Sequence, residues 1–154
     1  IAAIYEGTNG IQAIDLVTRK ITLSGGAAVA REVAFIRAIA AEVGDRPGFG
    51  ATSARLGAAA DALERATAYL LGALGGDLRD ALGAASPYLK LFGVALGGAC
   101  LAKAGLAAGG EPGRVALARF FAEKLSPVAP GLAEVVCSGA EALDDADAAL
   151  KEDA

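Results

Sequence analysis

The chain is 154 residues long, with 14 basic against 18 acidic residues and a net charge of −4, and it contains neither His nor Met. Without His, Ser-His-Asp triads, Cys-His pairs and His-ligated zinc are excluded, and no metal site is expected. Apolar residues reach 55% but aromatics only 5%, which points to thin, Ala- and Gly-rich helices packed close together.

The chain opens on Ile1 rather than Met, which reads as a processed or excised piece of something larger. An extended segment leads into a short helix over 10–20. Asn9 stands at its N-cap position, and Gln12 is placed for a reciprocal capping box. Ser24-Gly25-Gly26 then breaks the pattern. A second helix fits 27–43, with Val29, Val33, Ile36, Ala40 and Val43 on one face and Arg31 and Arg37 toward water. Gly44-Asp45-Arg46-Pro47-Gly48 ends it, because Pro47 disfavours helix at Arg46. A third helix fits 52–74, where Leu56, Leu63 and Leu70 recur every seven residues and Ala60, Thr67, Leu71 and Leu74 widen the seam.

Gly75-Gly76-Asp77 stops that helix, and a turn over 78–84 follows. Ser86 reads as an N-cap and Pro87 as the first helical position of a helix over 87–108. That helix is apolar nearly all round and is expected at the centre. Its most apolar run, 91–102, is bracketed by Lys90 and Lys103. About a dozen residues is short of the roughly 20 needed to cross a bilayer, so no membrane is expected. Gly93, Gly97 and Gly98 fit close helix approach.

Pro112 opens the last long helix. Val115, Ala118, Phe121, Ala122 and Leu125 are expected inward, with Arg119 and Glu123 paired outside. Pro127 and Pro130 interrupt it near Val128, and it resumes over 132–142. Cys100 and Cys137 lie in apolar sequence without a C-x-x-C spacing. They read as buried, reduced thiols of a cytoplasmic protein. Six acids and one Lys fall within 140–154, so the rest of the chain is nearly neutral. That body has no basic stripe, which argues against a nucleic-acid partner, and the end, 143–154, reads as a solvated acidic tail. The expected fold is all-α: an antiparallel four-helix bundle preceded by a short helix and an extended N-terminal segment.

One segment stands apart: Ile4-Tyr5-Glu6-Gly7-Thr8-Asn9-Gly10-Ile11-Gln12. It sets a carboxylate just before a helix start, where free N–H groups favour anions. Gly7 lets backbone approach a ligand closely. A Glu held in partly dry surroundings beside a carbon acid can act as a general base. The plainer reading makes Glu6 a solvated loop residue and Thr8-Asn9 a helix cap.

The segment, continued through Ala13-Ile14-Asp15-Leu16-Val17-Thr18-Arg19-Lys20, resembles the C-terminal signature of the flavin-dependent acyl-CoA dehydrogenases. The bundle that follows, including Pro87-Tyr88-Leu89-Lys90-Leu91-Phe92-Gly93, is similar to the extra helical domain of a subgroup that includes the 3-methylmercaptopropionyl-CoA dehydrogenases. The resemblance implies α,β-dehydrogenation of an acyl-CoA thioester. Glu6 would be the base that removes the α-proton, while the β-hydride passes to N5 of FAD and electrons leave to an electron-transfer flavoprotein. Tyr5 and Gly7 would lie by the substrate, and Thr8, Asn9 and Gly10 would match the stretch that touches FAD. Many members carry Gln where this chain has Gly10, so one side-chain contact to the cofactor is missing.

The implied organisation is 1–24, the end of a catalytic domain carrying the base; 25–142, a helical bundle; and 143–154, the acidic tail. The chain has no Gly-rich dinucleotide motif and no strand pattern to hold a flavin. By itself the piece is therefore expected to be inert, with FAD bound only in the full-length protein and the bundle covering the catalytic domain or building the interface of a homo-oligomer. The rival reading is a non-catalytic helical interaction module.

Overall fold

The computed structural model describes residues 2–152, with the side chains of 8–151. Among these the chain is helical, without strands: α1 (Ala2–Asp15), α2 (Ala27–Val43), α3 (Thr52–Ala73), α4 (Leu78–Gly83), α5 (Ala85–Ala107), α6 (Pro112–Lys124), α7 (Ala129–Cys137) and α8 (Glu141–Glu152). A π turn, Leu16–Lys20, prolongs α1, and 3-10 turns at Leu23–Gly26 and Ser126–Val128 precede α2 and α7. The centre is the pair α3–α5. Each packs on the other and on α2, α6 and α7, and α1 lies against α5.

The aliphatic periodicity builds this centre. Val29, Val33, Ile36, Ala40 and Val43 of α2 are buried, as are Leu56, Ala60, Leu63, Thr67 and Leu70 of α3. The polar member of that seam is satisfied inside it. The Thr67 hydroxyl donates to the Leu63 carbonyl at 2.7 Å, so the 2.7 Å contact with Tyr88 is one in which the phenol donates. Burial pushes the Tyr88 hydroxyl up to about 12, against a smaller opposing effect of the Thr67 hydrogen bond. A phenol kept neutral and paired costs the core little.

Tight turns lock the helices together. Phe49, in the loop after α2, is 2% exposed, and its ring lies where a Cβ on Gly105 would come within 3.1 Å. Gly50 has φ +54°, and a Cβ there would lie 2.4 Å from Glu123 Oε1 and 2.6 Å from Arg119 Nε. The reason is that Glu123 reaches across to accept from the Ala51 N–H at 3.2 Å while pairing with Arg119 at 2.8 Å. Those bonds, the Ala51 N–H first and Arg119 next, hold the Glu123 carboxyl below the usual carboxylate range.

Several expectations need correction. Helix α1 begins at Ala2 rather than Gly10, so the N-terminal segment is helical and Asn9 is not a cap. Packing of α1 on α5, with Ala13 and Val17 buried, outweighs the cap-forming habit of Thr8 and Asn9 and the helix-weakening glycines. Ser86 makes no cap bond, because α5 starts at Ala85 directly from α4 and its N-cap is Ala84. Side-chain caps form instead at Asp77, which accepts from the Arg79 N–H at 2.8 Å at the start of α4, and at Glu111, whose carboxylate accepts from the N–H groups of Gly113 and Arg114, both at 2.9 Å. Leu125 is 45% exposed, since α6 stops at Lys124 and the 3-10 turn swings the residue outward.

Helix α5 is not enclosed all round either: Lys90, Gly93, Cys100 and Lys103 share an exposed face. Cys100 is therefore exposed and Cys137 half-buried, both as free thiols. A hydrophobic neighbourhood in sequence comes from the other faces of the helix. At 23 residues α5 has the length and composition of a bilayer-crossing helix, more than the run 91–102 suggests. Of the three glycines expected to allow close approach, Gly98 is in tight contact, with Leu56 Cδ2 3.0 Å from where its Cβ would be, whereas Gly93 has open space. Finally, the acidic end is a helix anchored at its start. Asp80 Oδ1 accepts from the Ala140 N–H at 2.7 Å, Arg79 pairs with Asp144, and Leu143 lies against Gly83.

Candidate functional site

The signature segment forms the first turns of α1. The side chains of Tyr5 and Glu6, and the surroundings of Gly7, lie outside the described residues. Thr8 is half-buried, and Asn9 and Gly10 are exposed. The three lie inside the helix, so its terminal N–H groups are not gathered around Thr8 and Asn9, and the anion-binding argument does not apply to them. A Cβ on Gly10 would meet nothing within 4 Å. Gly10 therefore gives close access to something other than the described part of this chain, or to nothing.

Downstream, the helix is built for rigidity. Val17 and Ile21 are both fully buried, and the π turn closes with the Ile21 N–H donating to the Leu16 carbonyl at 2.9 Å. Asp15 is gripped by Arg19 through two bonds of 2.6 and 2.9 Å and by Lys20 at 3.3 Å. The Arg19 bonds above all hold its carboxyl below the usual range. Ser24 and Gly25 then take left-handed torsions (φ 55° and 63°), and a Cβ on Gly26 would come within 3.0 Å of Leu71 Cδ1. This turn fixes how α1 leaves the bundle. The opposite side of α1 is bare: Ile11 is 70% and Ile14 44% exposed.

The clefts lie elsewhere. One of about 310 Å³ is apolar and lined by Gly26, Val29, Val33, Thr67, Ala68 and Leu71 among others. A hollow of about 210 Å³ beside the π turn takes in Leu16, Lys20, Leu23, Arg31, Glu32 and Phe92. Neither includes Thr8, Asn9 or Gly10. Among the described residues, no three Cys, Asp or Glu side chains converge to hold a metal ion. The candidate cofactor residues thus sit on an open helix face rather than in a cradle, and the described residues do not by themselves enclose a flavin. Sequence reasoning passed over Asp80 and Glu111, and over the Glu123 bond to the Ala51 N–H beyond its expected pairing with Arg119; all three organise turns rather than chemistry. Glu111 carried a signal: an acid directly before Pro at a helix start.

Residues 29–147 match the family model described as acetyl-CoA dehydrogenase C-terminal like. The 3-methylmercaptopropionyl-CoA dehydrogenase of Ruegeria pomeroyi (strain ATCC 700808 / DSM 15171 / DSS-3) is 34% identical over 139 residues, covering 81% of this chain and 23% of the relative. The chain thus spans less than a quarter of the length of that curated relative. No solved structure matches significantly. The chain belongs to the acetyl-CoA dehydrogenase C-terminal-like family, the C-terminal region of acyl-CoA dehydrogenases.

Proposed function

We propose that this chain is the C-terminal part of a flavin-dependent acyl-CoA dehydrogenase and supplies its base, Glu6. The observation that carries the reading is one of order. The Tyr5-Glu6-Gly7-Thr8-Asn9 block stands directly before a helical domain that matches the family over 29–147. The proposed boundaries follow: 1–24 completes a catalytic domain, 25–142 is an antiparallel four-helix bundle, and 143–154 is an acidic appendage. The bare side of α1, with Ile11 and Ile14 exposed, fits a helix whose other face is covered by that domain.

In this scheme the Glu6 carboxylate takes the α-proton of an acyl-CoA thioester as the β-hydride departs, leaving the α,β-double bond. The thioester α-proton is weakly acidic, so the base works only when it is desolvated and the developing enolate is stabilised. Tyr5 and Gly7 would flank the substrate, with Thr8, Asn9 and Gly10 towards the cofactor. The family generally uses FAD, and holding it is the task of the parent's other domains. Electrons would leave to an electron-transfer flavoprotein, in a cytoplasmic homo-oligomer.

Two assays test this. The 154-residue piece alone should show no flavin-dependent dehydrogenation. In the full-length enzyme, Glu6→Gln should abolish turnover while leaving FAD bound, and unchanged turnover would remove Glu6 from the mechanism. The rival reading, a non-catalytic helical interaction module, draws on the large exposed apolar residues at both chain ends. A parent protein with no flavoprotein body would favour it.

A further inference from the structure

We propose that the outer face of α6 is the docking site for α8 of a second copy of this chain. The inference rests on these two helices and not on the chemistry assigned to Glu6. Opposite its buried residues Val115, Ala118 and Ala122, α6 presents Leu117 (53% exposed) and Phe120 (57%), with Lys124 on the same side. These large apolar groups at i and i+3 form a stripe, which water does not favour. Helix α8 carries the matching stripe, Leu143, Ala146 and Leu150, with Leu150 75% exposed.

Two features select a second copy as occupant. The first is charge: α6 holds three cations and one anion, of which Arg119 and Glu123 pair with each other, whereas α8 holds five anions and one cation, of which Asp144 pairs with Arg79 and Asp147 with Lys151. Such opposition steers association and fixes register. The second is fit. The helices are 13 and 12 residues long, each about 18–20 Å, so beyond its anchored first turn α8 can lie along α6. Among the described residues α8 is held to its own chain at its first turn, by Asp80, Arg79 and the Leu143–Gly83 contact. Its distal turns are left to reach outward. A two-fold arrangement makes the exchange reciprocal, each copy giving α8 and receiving it on α6.

The test is a mixed disulfide in the intact protein, with Cys100→Ser and Cys137→Ser throughout. One tagged version carries Leu117→Cys, and a differently tagged one carries Leu150→Cys. All the introduced thiols replace exposed side chains, so circular dichroism should be unchanged. On mixing and mild oxidation the two tags should become linked. The linkage should form at least tenfold faster than with Ala58→Cys, an exposed site on α3, in place of Leu117→Cys. Adding Lys124→Glu should slow it, as should high salt. No linkage between the tags, or linkage equally fast through position 58, would overturn the proposal. So would a Leu117→Cys thiol shielded from alkylation without linking to position 150, which would mean that another body covers α6.

Discussion

The α3–α5 centre and the two terminal helices differ in how completely they are covered. In the centre, Leu56, Leu63, Leu70 and Leu91 are fully buried and the Thr67–Tyr88 pair is satisfied. At the ends, α1 and α8 rest on one flank and expose Ile11, Ile14, Leu143 and Leu150. Their anchoring differs: α1 packs on α5 through buried Ala13, continued by Val17 of the π turn, and its Asp15 pairs with Arg19 and Lys20 lie within its own last turns, whereas α8 is tied by Asp80 and Arg79. The centre is held by its own burial, whereas the ends leave large apolar groups in contact with water. That is why the chemistry is assigned to an end, where the described residues do not enclose a site.

The contrast can be broken from the inside. Leu63→Ala removes a fully buried side chain from the α3 seam and should cost about 2–5 kcal/mol, read by denaturant unfolding. A cost under 1 kcal/mol would mean that the seam is not the centre. Gly50→Ala should cost roughly 1–3 kcal/mol, because it combines a left-handed torsion with a collision against Glu123 and Arg119. Tyr88→Phe should cost about 1 kcal/mol, the net value of a buried hydrogen bond.

Tyr88 also gives the contrast a pH signature. Its folded pKa, about 12, stands above the ordinary 10, so its contribution is complete below pH 10 and is lost as pH rises through the folded value. Unfolding free energy measured from pH 9 upward should therefore decline less steeply in Tyr88→Phe than in the unaltered chain. The smallest effect belongs to the ends. Asp80→Asn should speed amide exchange at the start of α8, leaving α3 and α5 unchanged. Equal loss of protection throughout would mean that α8 is part of the centre.

The core faces of α2 and α3 were legible because aliphatic residues at helical spacing have few other places to go. The proline interruption before α7 was legible for an equally local reason. Its bounds were not legible: α7 runs Ala129–Cys137 rather than over 132–142, because Pro130 fits its first turn, where no N–H is needed, and Gly139 breaks the chain before α8. The start of α1 was not, since Thr8 and Asn9 look like caps until a neighbouring helix pays for continuing through them. Nor was the exposure of Cys100, because mean hydropathy along α5 does not say which face turns outward. Long-range clamps such as Asp80 to Ala140, sixty residues apart, leave no mark in sequence. The candidate site was readable only as a motif: the Tyr5-Glu6-Gly7 block carries its meaning through resemblance, while Thr8, Asn9 and Gly10 sit in a different local structure from the one their residue types suggest.

The central claim is that Glu6 is the proton acceptor for a thioester-bound acyl chain. Solvent-deuterium exchange at the α-carbon of an acyl-CoA, followed in the full-length enzyme by mass spectrometry, tests it most directly. The unaltered enzyme should wash deuterium into the α-position, and Glu6→Gln should stop that exchange with acyl-CoA still bound. Exchange continuing at the unaltered rate in Glu6→Gln would contradict the account.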